Sequence, residues 1–254
     1  MGRTGWWLRA YLRGIRDGID LTGAEMFLGH FGVAFAAKRV APRTSLGALT
    51  FAAQFLDELW PILLLLGVEQ VRINPQMPGS LGLDFIYYPY SHSLLLSIAW
   101  GILLGGAYYL LRRDRRGALV IGLLVMSHWL LDLPMHVRDL PLWPGASSPK
   151  VGWGLWYSIA ATYVVEFVIF AAGISAYVRA TRARDRIGRW GLWAYVLVLA
   201  ILYVMSNGSP PPSERALAWS ALGIWLFAPW AWWVDKHREY VGRISISIER
   251  LTTF

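Results

Sequence analysis

Long apolar runs are the feature that most constrains what this chain can fold into. A helix needs about 20 mostly apolar residues to cross a bilayer. The clearer runs cover residues 46–68, 92–111, 118–135, 153–178, 190–205 and 216–234. A further run, 26–37, is either a short span, if it extends over 22–40, or a re-entrant segment. We therefore expect an all-α fold, a polytopic transmembrane helical bundle with about six or seven membrane helices and a working count of seven.

The two ends of the chain differ from this bundle. Residues 1–20 place Trp6, Trp7 and Tyr11 at helical spacing with arginines between them. This pattern predicts an amphipathic helix lying in the membrane interface. The bundle then covers residues 21–235, and residues 236–254 form a basic cytoplasmic tail.

Charge and composition agree with a membrane protein. The chain is 56% hydrophobic and 16% charged, and its formal net charge is +8. Arginines concentrate in alternate loops, with four in residues 112–116 and five in 179–189, which the positive-inside rule makes cytoplasmic. We interpret this charge as a determinant of topology with membrane lipids as its partners, and expect no nucleic-acid binding. The oligomeric state is left open by the sequence.

Ionisable residues interrupt the apolar runs. Each costs roughly 2.5–3.5 kcal/mol at the bilayer centre on insertion scales, so such groups face a bundle interior or a cavity. The acids are Asp57, Glu58, Asp132 and Glu166, and the histidines are His30, His92, His128 and His136. Because the chain has no cysteine, a metal site here must use imidazole and carboxylate ligands.

The spacing of these residues favours a shared site. His128 and Asp132 stand four residues apart and project from one face of a helix, as two metal ligands do. With the arginine-rich loops inside, Asp57, His92 and the pair His128 and Asp132 fall towards the outer half of the membrane. We therefore predict a divalent metal ion, zinc or similar, held by His30, Asp57, His92, His128 and Asp132.

The order of these residues resembles the bacterial membrane-bound metal-dependent hydrolase family. The resemblance covers about residues 29–144. It rests on His30 in a short apolar segment, Asp57 in LDELWP, Ser91-His92-Ser93, His128-x-x-x-Asp132 and Leu142-Trp143-Pro144. Part of the family's motif is missing, because Leu59 stands where a second Asp is usual and Tyr87 where a first His is usual.

The resemblance implies a site similar to that of zinc-dependent phospholipases C. Its expected substrate is a lipid-like or small-molecule ester or phosphoester, and its expected location is the bacterial cytoplasmic (inner) membrane. Glu58 and Glu166, which our own analysis adds, are candidates for the catalytic base or for orienting the ligands.

Two other classes remain open at this stage. The same acids and histidines suit an ion- or proton-coupled transporter, and Pro211 and Pro212 near a helix end are compatible with the broken helices of transport sites. The loss of two motif ligands also suits a catalytically silent membrane scaffold that retains a metal site.

Overall fold

The computed structural model describes residues 27–77, 82–206 and 210–241. Within these ranges the fold is an all-α bundle, as predicted. Its α helices are α1 (Leu28–Ala37), α2 (Leu46–Leu65), α3 (Pro89–His92), α4 (Leu94–Arg112), α5 (Arg115–Met135), α6 (Ile159–Ala180), α7 (Leu192–Ser206), α8 (Glu214–Ala221) and α9 (Phe227–Lys236). The predicted amphipathic helix at residues 1–20 lies outside the described residues.

Six helical segments of the described chain are long and apolar enough to cross a membrane. They are α2, α4, α5, α6, the segment Ile187–Met205, which ends in α7, and the segment Glu214–Lys236, in which the 3-10 turn Leu222–Leu226 separates α8 from α9. This number lies within the predicted six or seven but is one below the working count of seven, because the run 26–37 forms only a short helix. These six segments are those of a multi-pass membrane protein.

Two of the predicted span boundaries shift because polar residues cap the helices. His92 ends the short helix α3, and α4 begins only after Ser93, whose side chain accepts a hydrogen bond from the Leu96 N–H. The run that starts at residue 153 begins with a 3-10 turn, Leu155–Tyr157, and α6 begins after the capping residue Ser158. Serine is a preferred N-cap because its hydroxyl satisfies an amide that the helix leaves free.

Helix α1 is too short to cross a membrane alone. Its ten residues rise about 15 Å, half of a hydrocarbon core of about 30 Å. It packs against α6 at unusually close range, since a Cβ on Gly32 would lie 2.6 Å from the Ile169 carbonyl oxygen and one on Gly173 would meet the Gly32 backbone. Small residues permit such backbone contact between membrane helices.

Buried polar contacts tie the bundle together at the end carrying the arginine-rich loops. Asp235 in α9 accepts hydrogen bonds from Lys38 Nζ at 2.6 Å, from the Leu46 N–H at 3.0 Å and from the Tyr177 hydroxyl at 2.8 Å. These contacts join α9 to α2, α6 and the residue that follows α1. Just beyond, β6 (Arg238–Tyr240) of the predicted tail pairs antiparallel with β5 (Thr181–Ala183), so this part of the tail is structured.

Short strand pairs lie at the opposite end. Strands β1 (Gln70–Ile73) and β2 (Leu83–Tyr87) form an antiparallel pair between α2 and α3. Strands β3 (Leu140–Pro141) and β4 (Lys150–Val151) form a second pair between α5 and α6. Helix α3, which carries His92, follows β2 directly, so the first strand pair positions it near the ends of α2 and α5.

The close α1–α6 contact yields a stability prediction. Replacing Gly32 by Val forces its side chain against backbone atoms of α6, and overpacking of this kind costs about 1–3 kcal/mol. We expect a lower thermal unfolding midpoint in detergent. Gly106→Val is the matched control, because a Cβ at Gly106 meets no atom within 4 Å. Equal midpoints for the two variants would contradict the described packing.

Candidate metal centre

Five of the predicted residues converge at one place between the helices. His30 comes from α1, Asp57 from α2, His92 from the end of α3, and the pair His128 and Asp132 from α5. His30, Asp132, His128 and His92 are each at most 4% exposed, and the Asp57 side chain is 26% exposed. The cluster therefore combines a buried core with one more accessible carboxylate.

The cluster contains two triads that share His128. Each triad has one ligand atom per residue, and these atoms lie within 4.8 Å of one another. One triad is His30, His128 and Asp132, and the other is Asp57, His92 and His128. Bonds of about 2.0–2.2 Å to a zinc ion place neighbouring ligand atoms roughly 3–4 Å apart, so modest side-chain adjustment would close either triad on an ion.

The individual distances match that spacing. Asp132 Oδ1 lies 3.2 Å from His30 Nε2, and Asp132 Oδ2 lies 3.4 Å from His128 Nε2. Asp57 Oδ1 lies 3.3 Å from His92 Nε2 and 3.5 Å from His128 Nε2. Asp57 thus faces the Nε2 atoms of two imidazoles, and Asp132 faces those of three, since its Oδ2 also lies 4.0 Å from His92 Nε2.

Some of these buried atoms are close to each other yet unsatisfied. Within the described residues, both ring nitrogens of His30 and the Oδ2 atom of Asp132 have no hydrogen-bond partner, although His30 Nε2 lies only 3.2 Å from Asp132 Oδ1. The His30 and His128 rings also stack, with centroids 3.7 Å apart. Buried polar atoms are rarely left unpaired, so lone pairs pointing at a common region fit a bound cation.

The tautomer of His128 is set by the backbone. Its Nδ1 lies 2.8 Å from the carbonyl oxygen of Ala53 in α2. A carbonyl only accepts, so Nδ1 carries the proton and the lone pair of Nε2 is available to a cation, for which the two neighbouring carboxylates would be further ligands. Hydrogen bonds of this kind commonly orient metal-binding histidines.

A hydrogen-bond relay from Glu69 through Ser91 orients His92. Ser91 Oγ lies 2.7 Å from His92 Nδ1 and donates to Glu69 Oε2 at 2.7 Å. Glu69 Oε1 accepts the N–H groups of Tyr90 and Ser91 at 2.7 and 2.8 Å. Burial raises the pKa of Glu69, while the Ser91 hydrogen bonds oppose that rise. Because Ser91 gives its own proton to Glu69, its oxygen accepts from His92 Nδ1, which leaves Nε2 free to face Asp57.

Glu166 lies at the N-terminus of α1 and is not part of either triad. Its carboxylate accepts the backbone N–H of Gly29 at 2.8 Å and that of Phe27 at 3.3 Å, so it caps the N-terminus of α1. The first amides of a helix have no partner within the helix, and a carboxylate suits the positive end of the helix dipole. This geometry favours the orienting role over the base, since Glu166 fixes the helix that carries His30.

Glu58 is buried and does not line the cavity that borders the cluster. It is 1% exposed, and neither of its carboxylate oxygens makes a hydrogen bond within the described residues. Its backbone carbonyl accepts from the Trp225 indole at 3.1 Å. The neighbour Asp57 borders the cavity instead, as expected for consecutive residues on different faces of a helix.

A cavity of about 730 Å³ begins at the cluster. Asp57, His92, Asp132 and His136 line one part of it. Much of the remaining lining is apolar and comes from α7, the Leu222–Leu226 turn and α9, including Met205 and Leu226, which are 71% and 72% exposed on the bundle surface. The candidate centre is therefore open towards the apolar face of the bundle through this cavity.

His136 is a cavity residue that was not among the predicted ligands. Its Nδ1 lies 2.9 Å from Asp139 Oδ1 and 3.4 Å from the Tyr88 hydroxyl, and its ring packs on Trp156 with centroids 4.1 Å apart. Burial raises the pKa of Tyr88 well above its usual value, so this residue remains a hydroxyl. His136 continues the helical face of His128 and Asp132, a signal the sequence does contain.

The two positions where the family's motif is missing do not reach the cavity. Tyr87 lies on β2 with its ring 6.0 Å from that of Tyr90, and Leu59 is half-buried on α2. Neither residue lines the cavity. The five histidine and aspartate residues therefore form the described cluster without a contribution from positions 59 and 87.

Comparison with family models, with curated proteins and with solved structures gives no match. The resemblance to the bacterial hydrolase family thus rests on the motif residues alone and stays a prediction. What the structure establishes is a multi-pass helical bundle with a buried His/Asp group able to hold a metal ion.

The relay through Ser91 yields a prediction on metal affinity. Ser91→Ala removes the acceptor of His92 Nδ1, and loss of such an outer partner typically weakens metal binding about 10- to 100-fold. We expect Glu69→Gln to weaken it less, because an amide still has one acceptor oxygen. Zinc titration of the purified, metal-stripped protein measures this. Glu214→Gln, an exposed acid on α8, is the control, and unchanged affinity in Ser91→Ala would refute the relay.

Proposed function

We propose that this protein is a membrane-embedded, divalent-metal-dependent hydrolase, with zinc as the resident ion, that cleaves an ester or phosphoester of a lipid. The observation that carries the proposal is the convergence of His30, Asp57, His92, His128 and Asp132 beside a cavity that opens on the apolar surface. The resemblance to the bacterial membrane-bound metal-dependent hydrolases and the arginine-rich loops support a place in the bacterial cytoplasmic membrane.

The donor set suits zinc. Imidazole and carboxylate groups without thiolates are typical of catalytic zinc sites, which keep one position open for water or substrate. Such an ion lowers the pKa of its bound water towards about 7 and polarises a carbonyl or phosphoryl oxygen. The partial exposure of Asp57 places the accessible side of the cluster towards the cavity, where substrate would meet it.

His136 is the best-placed residue for proton transfer. It borders the cavity beside Asp132, and Asp139 holds its Nδ1 at 2.9 Å, as a carboxylate orients the imidazole of a general base. In this proposal His136 takes a proton from the attacking water and returns it to the leaving oxygen. His136 takes the role of base for which Glu58 and Glu166 were the candidates. Glu58 does not line the cavity, and Glu166 caps the N-terminus of α1.

Metal analysis tests the centre directly. We expect purified wild-type protein to carry at least one divalent ion per chain and to hydrolyse a lipid ester or phosphoester. His128→Ala removes the residue shared by both triads, and both bound metal and hydrolysis should be lost. His237→Ala, whose ring pairs with Asp185 outside the cluster, should retain both. Wild type and His128→Ala that are equally metal-free would overturn the proposal.

The cavity allows a separate test of the lipid substrate. Gly223 lines the cavity, and a Cβ there meets no atom within 4 Å. We therefore expect Gly223→Phe to fold normally, to keep its metal and to lose turnover of long-chain substrates more than that of short-chain ones. Gly106→Phe has equal room on α4 but lies away from the cavity, and should turn over both as wild type does. Equal chain-length profiles for the two variants would contradict lateral binding.

A transporter is the second candidate, favoured by the interruption between α8 and α9. These helices form one span broken at Leu222–Leu226, directly beside the cavity, and broken helices line many transport sites. Metal- or proton-coupled flux in liposomes, with no ester cleavage by metal-loaded protein, would favour it. A silent scaffold is distinguished by metal binding without flux or cleavage.

A further inference from the structure

Five arginines surround a second cavity at the other end of α5. It measures about 370 Å³, and its lining also includes Tyr108 and Asp114. Since α5 runs from Arg115 to the centre at Asp132, the two sites lie roughly 25 Å apart at 1.5 Å per residue. The arginines are Arg43, Arg112, Arg113, Arg115 and Arg116.

These guanidinium groups have no acidic partner among the described residues. None of the five forms an ion pair there, and Arg113 makes only a cation–π contact with Tyr109 at 5.8 Å. The nearby carboxylate of Asp114 is engaged, because its Oδ1 accepts the N–H groups of Arg116 and Gly117. Five positive charges thus face one carboxylate, leaving four in excess around one cavity, which favours an anionic ligand.

The pocket is built on a rigid frame. The Tyr108 hydroxyl donates to Thr44 Oγ1 at 3.2 Å, which joins α4 to the turn that carries Arg43. A Cβ on Gly117 would lie 2.6 Å from Thr44 Oγ1, and one on Gly105 would lie 2.7 Å from the Ala118 carbonyl oxygen. These close approaches fix the three arginine-bearing segments relative to one another.

Arg113 occupies a backbone position that favours glycine. It follows the last residue of α4 with a φ of 53°, the left-handed conformation that glycine adopts without strain. A charged residue is thus held at this strained position at the rim of the cavity.

Exposed leucines adjoin the arginines. Leu110 and Leu111 on α4 are 66% and 81% exposed, and Leu119 on α5 is 64% exposed. In a membrane these side chains contact acyl chains, while the neighbouring guanidinium groups lie at the depth of phosphate groups. Arginine matches phosphate geometry through paired N–H donors.

We propose that this arginine pocket binds the phosphate group of an anionic phospholipid in the leaflet that contacts the arginine-rich loops. The site is separate from the candidate metal centre and does not depend on its chemistry. The lipid headgroup lies among the five arginines and its acyl chains lie along the exposed leucines of α4 and α5.

The test uses the full-length protein in nanodiscs of neutral phosphatidylcholine, titrated with phosphatidic acid and followed by native mass spectrometry. We expect saturable binding, weakened at least about tenfold in the double variant Arg112→Gln, Arg116→Gln. The matched control is Arg182→Gln, Arg186→Gln, which removes the same charge from another arginine-rich loop and should bind as wild type does. Equal weakening in both double variants would overturn the site, since general charge attraction would then explain binding.

Two further arms separate the remaining explanations. Arg113→Gly suits the left-handed backbone, so it should keep or raise the thermal unfolding midpoint while weakening lipid binding. A variant that is as stable as wild type and binds lipid equally would count against the pocket. Saturable binding of inorganic phosphate, with no preference for phosphatidic acid over phosphatidylcholine, would overturn the lipid assignment in favour of a free anion.

Discussion

A helix that begins inside the membrane needs an acceptor for its first amides, and this requirement governs the arrangement around α1. Unpaired backbone groups in hydrocarbon cost several kcal/mol each, so a helix can begin at this depth only against protein. Glu166 supplies the acceptor through its contacts with Gly29 and Phe27. Seven residues further along α6, Gly173 allows the backbone of α1 to approach. Both features lie on one face of α6, and together they place His30 over His128.

The centre depends on several such supports. Ala53 fixes the ring of His128 and the Glu69–Ser91 pair fixes that of His92, so two of the three histidines are oriented from outside the cluster. Pro61 in α2 has no N–H, which leaves the carbonyl of Asp57 without its usual helical donor. The cluster is therefore more than a set of ligands on separate helices, because groups around it determine which atoms face inwards.

The membrane spans and most of the cluster could be predicted from the sequence, because both follow from helix geometry. The spans follow from length and hydropathy, and the pairing of His128 with Asp132 follows from helical spacing alone. The convergence of His30, Asp57 and His92 on that pair could be expected from the cost of isolated polar groups at similar depth in a membrane. The sequence also places His136 on the same helical face, although the ligand set did not include it.

The remaining parts depend on contacts between segments that no local pattern reports. Glu69 follows α2 in a loop and resembles an ordinary surface residue until the β1–β2 pair folds α3 back against it. Asp139 acquires a role only through the turn after α5 that brings it to His136. For Glu166 the sequence indicates that some partner must offset the cost of a carboxylate in the membrane. It does not indicate that this partner is the N-terminus of α1, which Glu166 caps.

The two ends of α5 show how one helix can serve two chemically opposite sites. At one end His128 and Asp132 contribute to a buried cluster where desolvation makes charges interact strongly. At the other end Arg115 and Arg116 remain exposed, and in our proposal a lipid phosphate supplies their counter-charge. About 25 Å of mostly apolar helix separates the two sites. One helix thus carries polar groups in two settings. Inside the membrane, where water is absent, they pair with other side chains of the protein, and at the membrane surface we propose that they pair with lipid phosphate.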